Sequence, residues 1–518
     1  MKENMLNKTE FMQEYAQLSS KDLAKKLGVT PRTILRRAKS FGVTKAECVK
    51  ACNRDKIHNI TTKEKHPRKF VITSAQACAT PNTNLLKSFD HYCNQNDARL
   101  IVLPMIGQSA SEDIDQLHRV FLDYELENGT RKLNNNVSIT QFNVRPYQID
   151  PITGLNRFAQ NGTTMIFASP KQRMKPIPHS NHKSPKYLVT TGACTLPNYA
   201  SGMDVSAERR RLGNIALRDH VFGALIVEVE NDKFFHMRHV RSNRSGKFID
   251  LGKQYDKQGN VSSSVLEAMV CGDWHVGFTD PKIVNGTYDM IKQLKPKRII
   301  LHDFFNGASV SHHGAQKPYS ENMLQVIDRG LGSLDHELKL CYDQLIELSK
   351  LSDAEIFLVS SNHHAFLTRY LDEGRFLKDL TNVRTSVKLL DYMLERDYND
   401  PIEAGIRMQG NLPLNVQFLK LDEDLRIKGY QLACHGDRGA SGARGSIKSA
   451  ENSFGKSISG HVHSAQILRD TYIVGTMLPN NMYYTRGFAS SWTNTHGLLW
   501  DDGSVQLTSF HDGKWRKK

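Results

Sequence analysis

Apolar and polar positions alternate at helical spacing through residues 19–42. Leu23, Ala24 and Leu27 share one face behind the capping residues Ser19 and Ser20, and Gly28 suits the turn that follows. Thr30 then caps a second segment whose first position is Pro31, where a missing N–H costs nothing, and Ile34 and Ala38 form its apolar face. The pattern predicts a helix-turn-helix, with Arg32, Thr33, Arg36 and Arg37 left for solvent or a phosphate backbone. Beyond residue 69 the pattern changes to short apolar runs separated by helical stretches. FVITS and RLIVLPM flank a helical segment at 85–93 and read as a βαβ unit, with TTMIFAS, KYLVTTGACT and FGALIVEVE as further strands. Five more runs, VLEAMVC, KRIIL, AEIFLVSS, YQLAC and SISG, each lead into His, Asp or Asn, and a helix is expected at 334–348. The chain is thus expected to be α/β: a helix-turn-helix arm at 1–43, a basic linker at 44–66, an α/β region without assigned role at 67–260, and a catalytic domain at 261–518.

A chain of 518 residues, 39% hydrophobic and 24% charged, can bury more than one core. No apolar run approaches the roughly 18 residues of a membrane span, and the acidic start lacks a signal-peptide core, so the expected location is cytoplasmic, without membrane association. Eight scattered cysteines read as reduced thiols. The net charge of +15 is concentrated: residues 1–69 hold 17 basic and 7 acidic side chains, which favours a polyanionic partner such as DNA. The basic stretch 169–186 and the run Arg209, Arg210, Arg211 fit a nucleic-acid backbone and a solvated face equally well. Cys48, Cys52, His58 and His66 match no zinc-ligand spacing.

The chemistry lies at the strand ends of the second half. Side chains alternate along an extended chain, so Asp273 and His275 should point the same way and share a cation. His302 to Asn306, Asn362 to His364, His435, and His461 with His463 follow the next four strands, where α/β folds place their sites. Imidazole, carboxylate and amide donors without thiolate suit manganese, iron or catalytic zinc.

In order, these stretches resemble the D-x-H, G-D-x-x-[DN], G-N-H-[DE], lone-His and G-H-x-H motifs of the calcineurin-like metallophosphoesterases, over about residues 265–500. The resemblance implies a β-sandwich flanked by helices. It also implies that Asp273, His275 and His463 hold one metal, that Asn362, His435 and His461 hold another, that Asp303 bridges them and that His363 is the acid. Nucleases of the SbcD type within this family imply manganese. Two departures stand out: His302 occupies the usual Gly position, and His364 replaces the acidic residue that would orient His363. The glycine-rich loop 436–445, with Arg438 and Arg444, fits a DNA contact and a merely mobile loop equally well. AENSFGKS at 450–457 lacks the preceding strand a P-loop requires.

The combination resembles the DNA-degradation proteins of T-five-like bacteriophages. The expected function is a two-metal DNA nuclease, acting on host DNA in the bacterial cytoplasm if phage-encoded, with homo-oligomerisation left open. A small-substrate phosphatase or cyclic phosphodiesterase, or a DNA-binding regulator with an inactive phosphoesterase domain, are the alternatives.

Overall fold

The computed structural model describes residues 6–45, 47–48, 68–105, 117–159, 163–179, 186–199, 205–312, 321–480, 482 and 489–517. Most of the expected linker, with Cys52, His58 and His66, lies outside the described residues. The fold is mixed α/β, and the chain divides into two compact units. The first holds residues 1–173 and 188–262, the second 174–187 and 263–518.

The first unit begins with α1 (Lys8–Gln17), α2 (Ser20–Leu27) and α3 (Pro31–Ser40). Ser19 caps α2 by accepting from the Asp22 N–H, and Gly28 ends it in the left-handed region at φ +65°. The Thr30 side chain accepts from the Thr33 N–H, which with Pro31 starts α3. Ile34 and Ala38 are buried together with Phe11, Tyr15 and Leu23 in one cluster that continues to Leu85, Phe89 and Val102. The N-terminal helices therefore share a core with the sheet that follows. That sheet is formed by β1 (Lys69–Gln76), β2 (Ala98–Met105), β3 (Glu125–Leu126), β4 (Gly223–Val229) and β5 (Phe235–Arg241), in the order β5-β4-β1-β2-β3. α4 (Thr83–Asn96) connects the parallel pair β1 and β2.

Buried charge crosses this sheet. Arg238 on β5 forks between Glu228 on β4 (3.1 and 3.2 Å) and Asp250 (Nη2 to Oδ2 2.8 Å), and Tyr92 on α4 donates to Asp250 (2.8 Å). Burial alone would raise both carboxyl groups, but Arg238 outweighs it and holds Asp250 and Glu228 below their ordinary values. Within the basic stretch at 169–186, the described residues 169–179 are ordered and largely buried. Arg173–Ile177 forms a strand, and Lys171, Gln172 and Arg173 are buried, so this part offers no free face to a nucleic acid. Arg209 and Arg211 are exposed on α5 (Ala207–Asp219).

In the second unit the runs read from the sequence become β6 (Leu266–Val270), β7 (Arg298–Leu301) and β8 (Glu355–Val359). α6 (Pro281–Leu294) connects β6 to β7, and α7 (Leu334–Leu351) lies between β7 and β8. α8 (His364–Asp372), α9 (Val383–Arg396) and α10 (Pro401–Met408) lead to β9 (Val416–Leu419). β6 to β9 are parallel, because each crossover helix returns the chain to the same end. A second sheet contains β10 (Tyr430–Gln431), β11 (Ser457–Ser459), β12 (Gln466–Leu468) and β13 (Thr471–Ile473), with α11 (Ile447–Phe454) ahead of β11. β14 (Thr495–Trp500) and β15 (Val505–Ser509) then extend the first sheet beyond β6, completing the order β9-β8-β7-β6-β14-β15. Asp273, Asp303 and Asn362 thus follow strands of one sheet, while His435, His461 and His463 follow strands of the other.

Candidate metal centre

The segment after β6 is anchored from below. His496 on β14 accepts the Gly272 N–H at Nδ1 (2.9 Å) and donates from Nε2 to Thr287 Oγ1 (2.8 Å), a neutral role that fits its burial and a pKa near 3. The chain then leaves the strand and runs beside the segment after β7. The Trp274 and His275 N–H groups donate to the carbonyls of His302 and Asp303 (2.9 and 2.8 Å), and Trp274 packs on Phe304. Simple alternation is therefore not what aims Asp273 and His275. His275 turns into the left-handed region at φ +52°, as do Asp303 (+43°), His461 (+73°) and His463 (+57°). Four proposed ligands in a backbone region that disfavours β-carbons are held there by their surroundings, a pattern typical of functional sites.

Asp273, His275, Asp303 and His463 are buried, and one ligand atom from each lies within 4.8 Å of all the others. His275 Nε2 stands 3.1 Å from His463 Nε2 and 3.7 Å from Asp303 Oδ2, and His463 Nε2 is 3.1 Å from Asp273 Oδ2. His275 spends its Nδ1 proton on Asn306 Oδ1 (3.0 Å), so its Nε2 presents a lone pair to the centre. Burial, then the neighbouring His363, pushes the His275 imidazole down to about 3, so it is neutral as a ligand must be. Asp273 Oδ1 and Asp303 Oδ1 are buried without a hydrogen-bond partner. Two carboxylate oxygens left bare among imidazole nitrogens would be costly to bury alone and fit a divalent cation.

His435 joins through Asp303, with Nε2 3.2 Å from Oδ2. Burial opposes charge on His435, yet Asp303 holds its imidazole up to about 9. Asp303 in turn would be raised by burial, and His435 and His363 keep it well below the usual carboxylate range. His461 meets His435 edge-on at 5.3 Å, and its N–H donates to Asp273 Oδ2 (2.7 Å). The Asn362 amide oxygen is buried with no hydrogen-bond partner. His363 lies edge-on to His275 at 4.6 Å and donates from Nδ1 to the Asn306 carbonyl (2.6 Å). That carbonyl orients His363 in place of the acidic neighbour missing at His364. His364 itself is the first residue of α8, buried and pushed down to about 4.

Two residues of the centre carry no role in the sequence reading. Asn306 lies in the stretch after Asp303, and its side chain and carbonyl serve two different histidines. Gly460 precedes His461, and a β-carbon there would meet Asp273 Oδ1 at 2.0 Å. Its position in the last motif was the available signal.

The proposed DNA contacts differ among themselves. Arg32 and Arg36 are exposed on α3, Thr33 is engaged with the cap at Thr30, and Arg37 donates to the Leu6 carbonyl and lies over the Phe41 ring. Arg438 and Arg444 are exposed and form an isolated β-bridge with each other, which closes loop 436–445 beside His435. A cavity of about 520 Å³ there is lined by His435, Arg438, Ser446, Asp422, Asp424 and Asp437 among others.

No helix among the described residues is long and apolar enough to cross a membrane. No family model matches the chain, and no solved structure matches it. It is similar to "Protein A1" of Escherichia phage T5, with 27% identity over 485 residues, which cover 87% of this chain and 83% of that protein, a similarity that fits a protein of a T5-like phage.

Proposed function

We propose that the chain is a metal-dependent nuclease that hydrolyses DNA phosphodiester bonds with two divalent cations, most readily manganese. The observation that carries this reading is the buried convergence of Asp273, His275, Asp303 and His463 with two unpartnered carboxylate oxygens. Asp273, His275 and His463 would hold one cation, Asn362, His435 and His461 the other, and Asp303 would bridge. When bound, the cations would supply Lewis acidity and charge neutralisation at the phosphodiester. Asn306 keeps the His275 lone pair aimed inward and holds the His363 ring by its Nδ1 proton, so that His363 in its imidazolium form, with a second proton on Nε2, would give that proton to the leaving oxygen and remain as the neutral Nδ1–H imidazole. The excess positive charge of the first 69 residues, the exposed Arg32 and Arg36, and the Arg438–Arg444 pair favour a polyanionic substrate. Similarity to a phage protein favours host DNA, in the bacterial cytoplasm, as the target.

One observation favours a second reading, a phosphodiesterase of small substrates. Asp422, Asp424 and Asp437 give the cavity beside His435 an acidic lining that repels a long polyanion. Closed-circular DNA, linear DNA and an activated small phosphodiester, each with manganese, magnesium or chelator, separate the two. The nuclease reading expects metal-dependent cleavage of DNA. Hydrolysis of the small diester alone would replace it with the second. Asp303→Asn should abolish hydrolysis of both, because it weakens the shared ligand with little change of shape. Retention of most activity in manganese would refute the two-metal assignment.

A further inference from the structure

α9 turns its apolar seam outward. Of its 14 residues only Ser386 and Leu389 are buried, while Val387 is 53% and Leu394 85% exposed. Val383, Val387, Leu390 and Leu394 are spaced by four, three and four residues, the repeat of a two-helix coiled coil. Val383 and Leu390 are half-buried beside the two exposed residues, and Leu377 (69%) and Leu380 (93%) continue the apolar surface into the preceding turn. A patch of this kind is uncommon on a chain that stays single.

The charges say what covers it. With Val383 and Leu390 at d positions and Val387 and Leu394 at a positions, Arg384 and Asp391 both fall at e. Both are exposed, and among the described residues neither has an ion-pair partner. Two parallel helices bring e against g, and the g residues here are Ser386 and Met393, which carry no charge. In an antiparallel pair e faces e. Two copies of α9 would then set Arg384 against Asp391 of the partner subunit, and the two-fold axis would repeat the pair. The same alignment stacks Val383 on Leu394 and Val387 on Leu390.

We propose that α9 is a self-docking surface through which two copies of this chain associate as an antiparallel helix pair. A helix of 14 residues is about 21 Å long, so the seam is small and association should be reversible and concentration-dependent.

Sedimentation of the full chain over a range of concentrations tests this. The expected result is a reversible dimerisation step that Leu394→Glu removes, with circular dichroism unchanged because the residue is exposed. Arg384→Asp and Asp391→Arg should each weaken association by about tenfold, since each turns two attractive pairs repulsive. The double variant should recover nearly wild-type association. A chain monomeric at every concentration, an association indifferent to Leu394→Glu, or a double variant as weak as its two parts combined would each overturn the proposal.

Discussion

Asp273 occupies the space that a side chain at position 460 would need. The β-carbon of an alanine there would meet Asp273 Oδ1 at 2.0 Å, and the carboxylate cannot retreat without giving up the His461 N–H at 2.7 Å. Gly460→Ala should therefore lower manganese affinity and activity by roughly 10- to 100-fold, as loss of ligand positioning usually does, while the melting profile stays cooperative. Calorimetric titration with manganese beside an activity assay checks this, and wild-type metal affinity in the variant would refute it. Asn306 shows the same dependence on position: a neutral amide becomes important because one residue serves a proposed ligand with its side chain and the proposed acid with its backbone.

β4 and β5 illustrate how an element can be bound by charge. Arg238, Glu228 and Asp250 are buried, and their hydrogen bonds join two strands to the segment after them. Arg238→Met should destabilise the first unit by about 3–5 kcal/mol at neutral pH, since it takes the buried guanidinium away from Asp250 and leaves Glu228 to Lys69 at 3.0 Å. The sign of the pH dependence follows from the two carboxyl groups held below their ordinary values. In the wild-type chain their contribution is complete above the unfolded values near 4 and falls as pH drops through the folded ones. In the variant both groups lose the guanidinium that outweighed burial, so their values rise and they gain on protonation. Denaturation profiles of the two proteins should converge on acidification, and a gap independent of pH would show that Arg238 acts through packing alone.

At the scale of the whole molecule, the N-terminal helices cannot be treated as a detachable arm. Phe11, Leu23 and Ile34 share a buried cluster with Leu85 and Phe89, so deleting the helices would strip the core of the first unit. Their proposed part in DNA binding is better tested on the surface. Arg32→Ala with Arg36→Ala should weaken DNA binding and reduce its salt slope by about two, roughly one for each phosphate no longer neutralised, with hydrolysis of a small phosphodiester unchanged. An unaltered slope would remove α3 from the DNA interface. Arg37 is a poor choice for this test, because its removal would also release the Leu6 carbonyl and the Phe41 ring.

Local order was already legible along the chain. Caps at Ser19 and Thr30, the turn at Gly28 and the apolar runs that became β1, β2, β4, β6, β7 and β8 depend on interactions within a few residues, which periodicity and residue type record. The residue types of the centre were legible too, since strand ends rich in His, Asp and Asn can be recognised one at a time. Tertiary structure decided which of them meet. Asp273 and His463 are 190 positions apart and come within 3.1 Å because two sheets deliver their loops to one place. The left-handed turns at His275, Asp303, His461 and His463, the bare oxygens of Asp273 and Asp303 and the need for Gly460 are likewise products of that approach, and the burial of Lys171 and Arg173 comes from packing within the first unit, where they meet Gln148 and Asp150. A linear pattern encodes period, capping and charge, whereas close approach between distant segments depends on the packing of the whole unit.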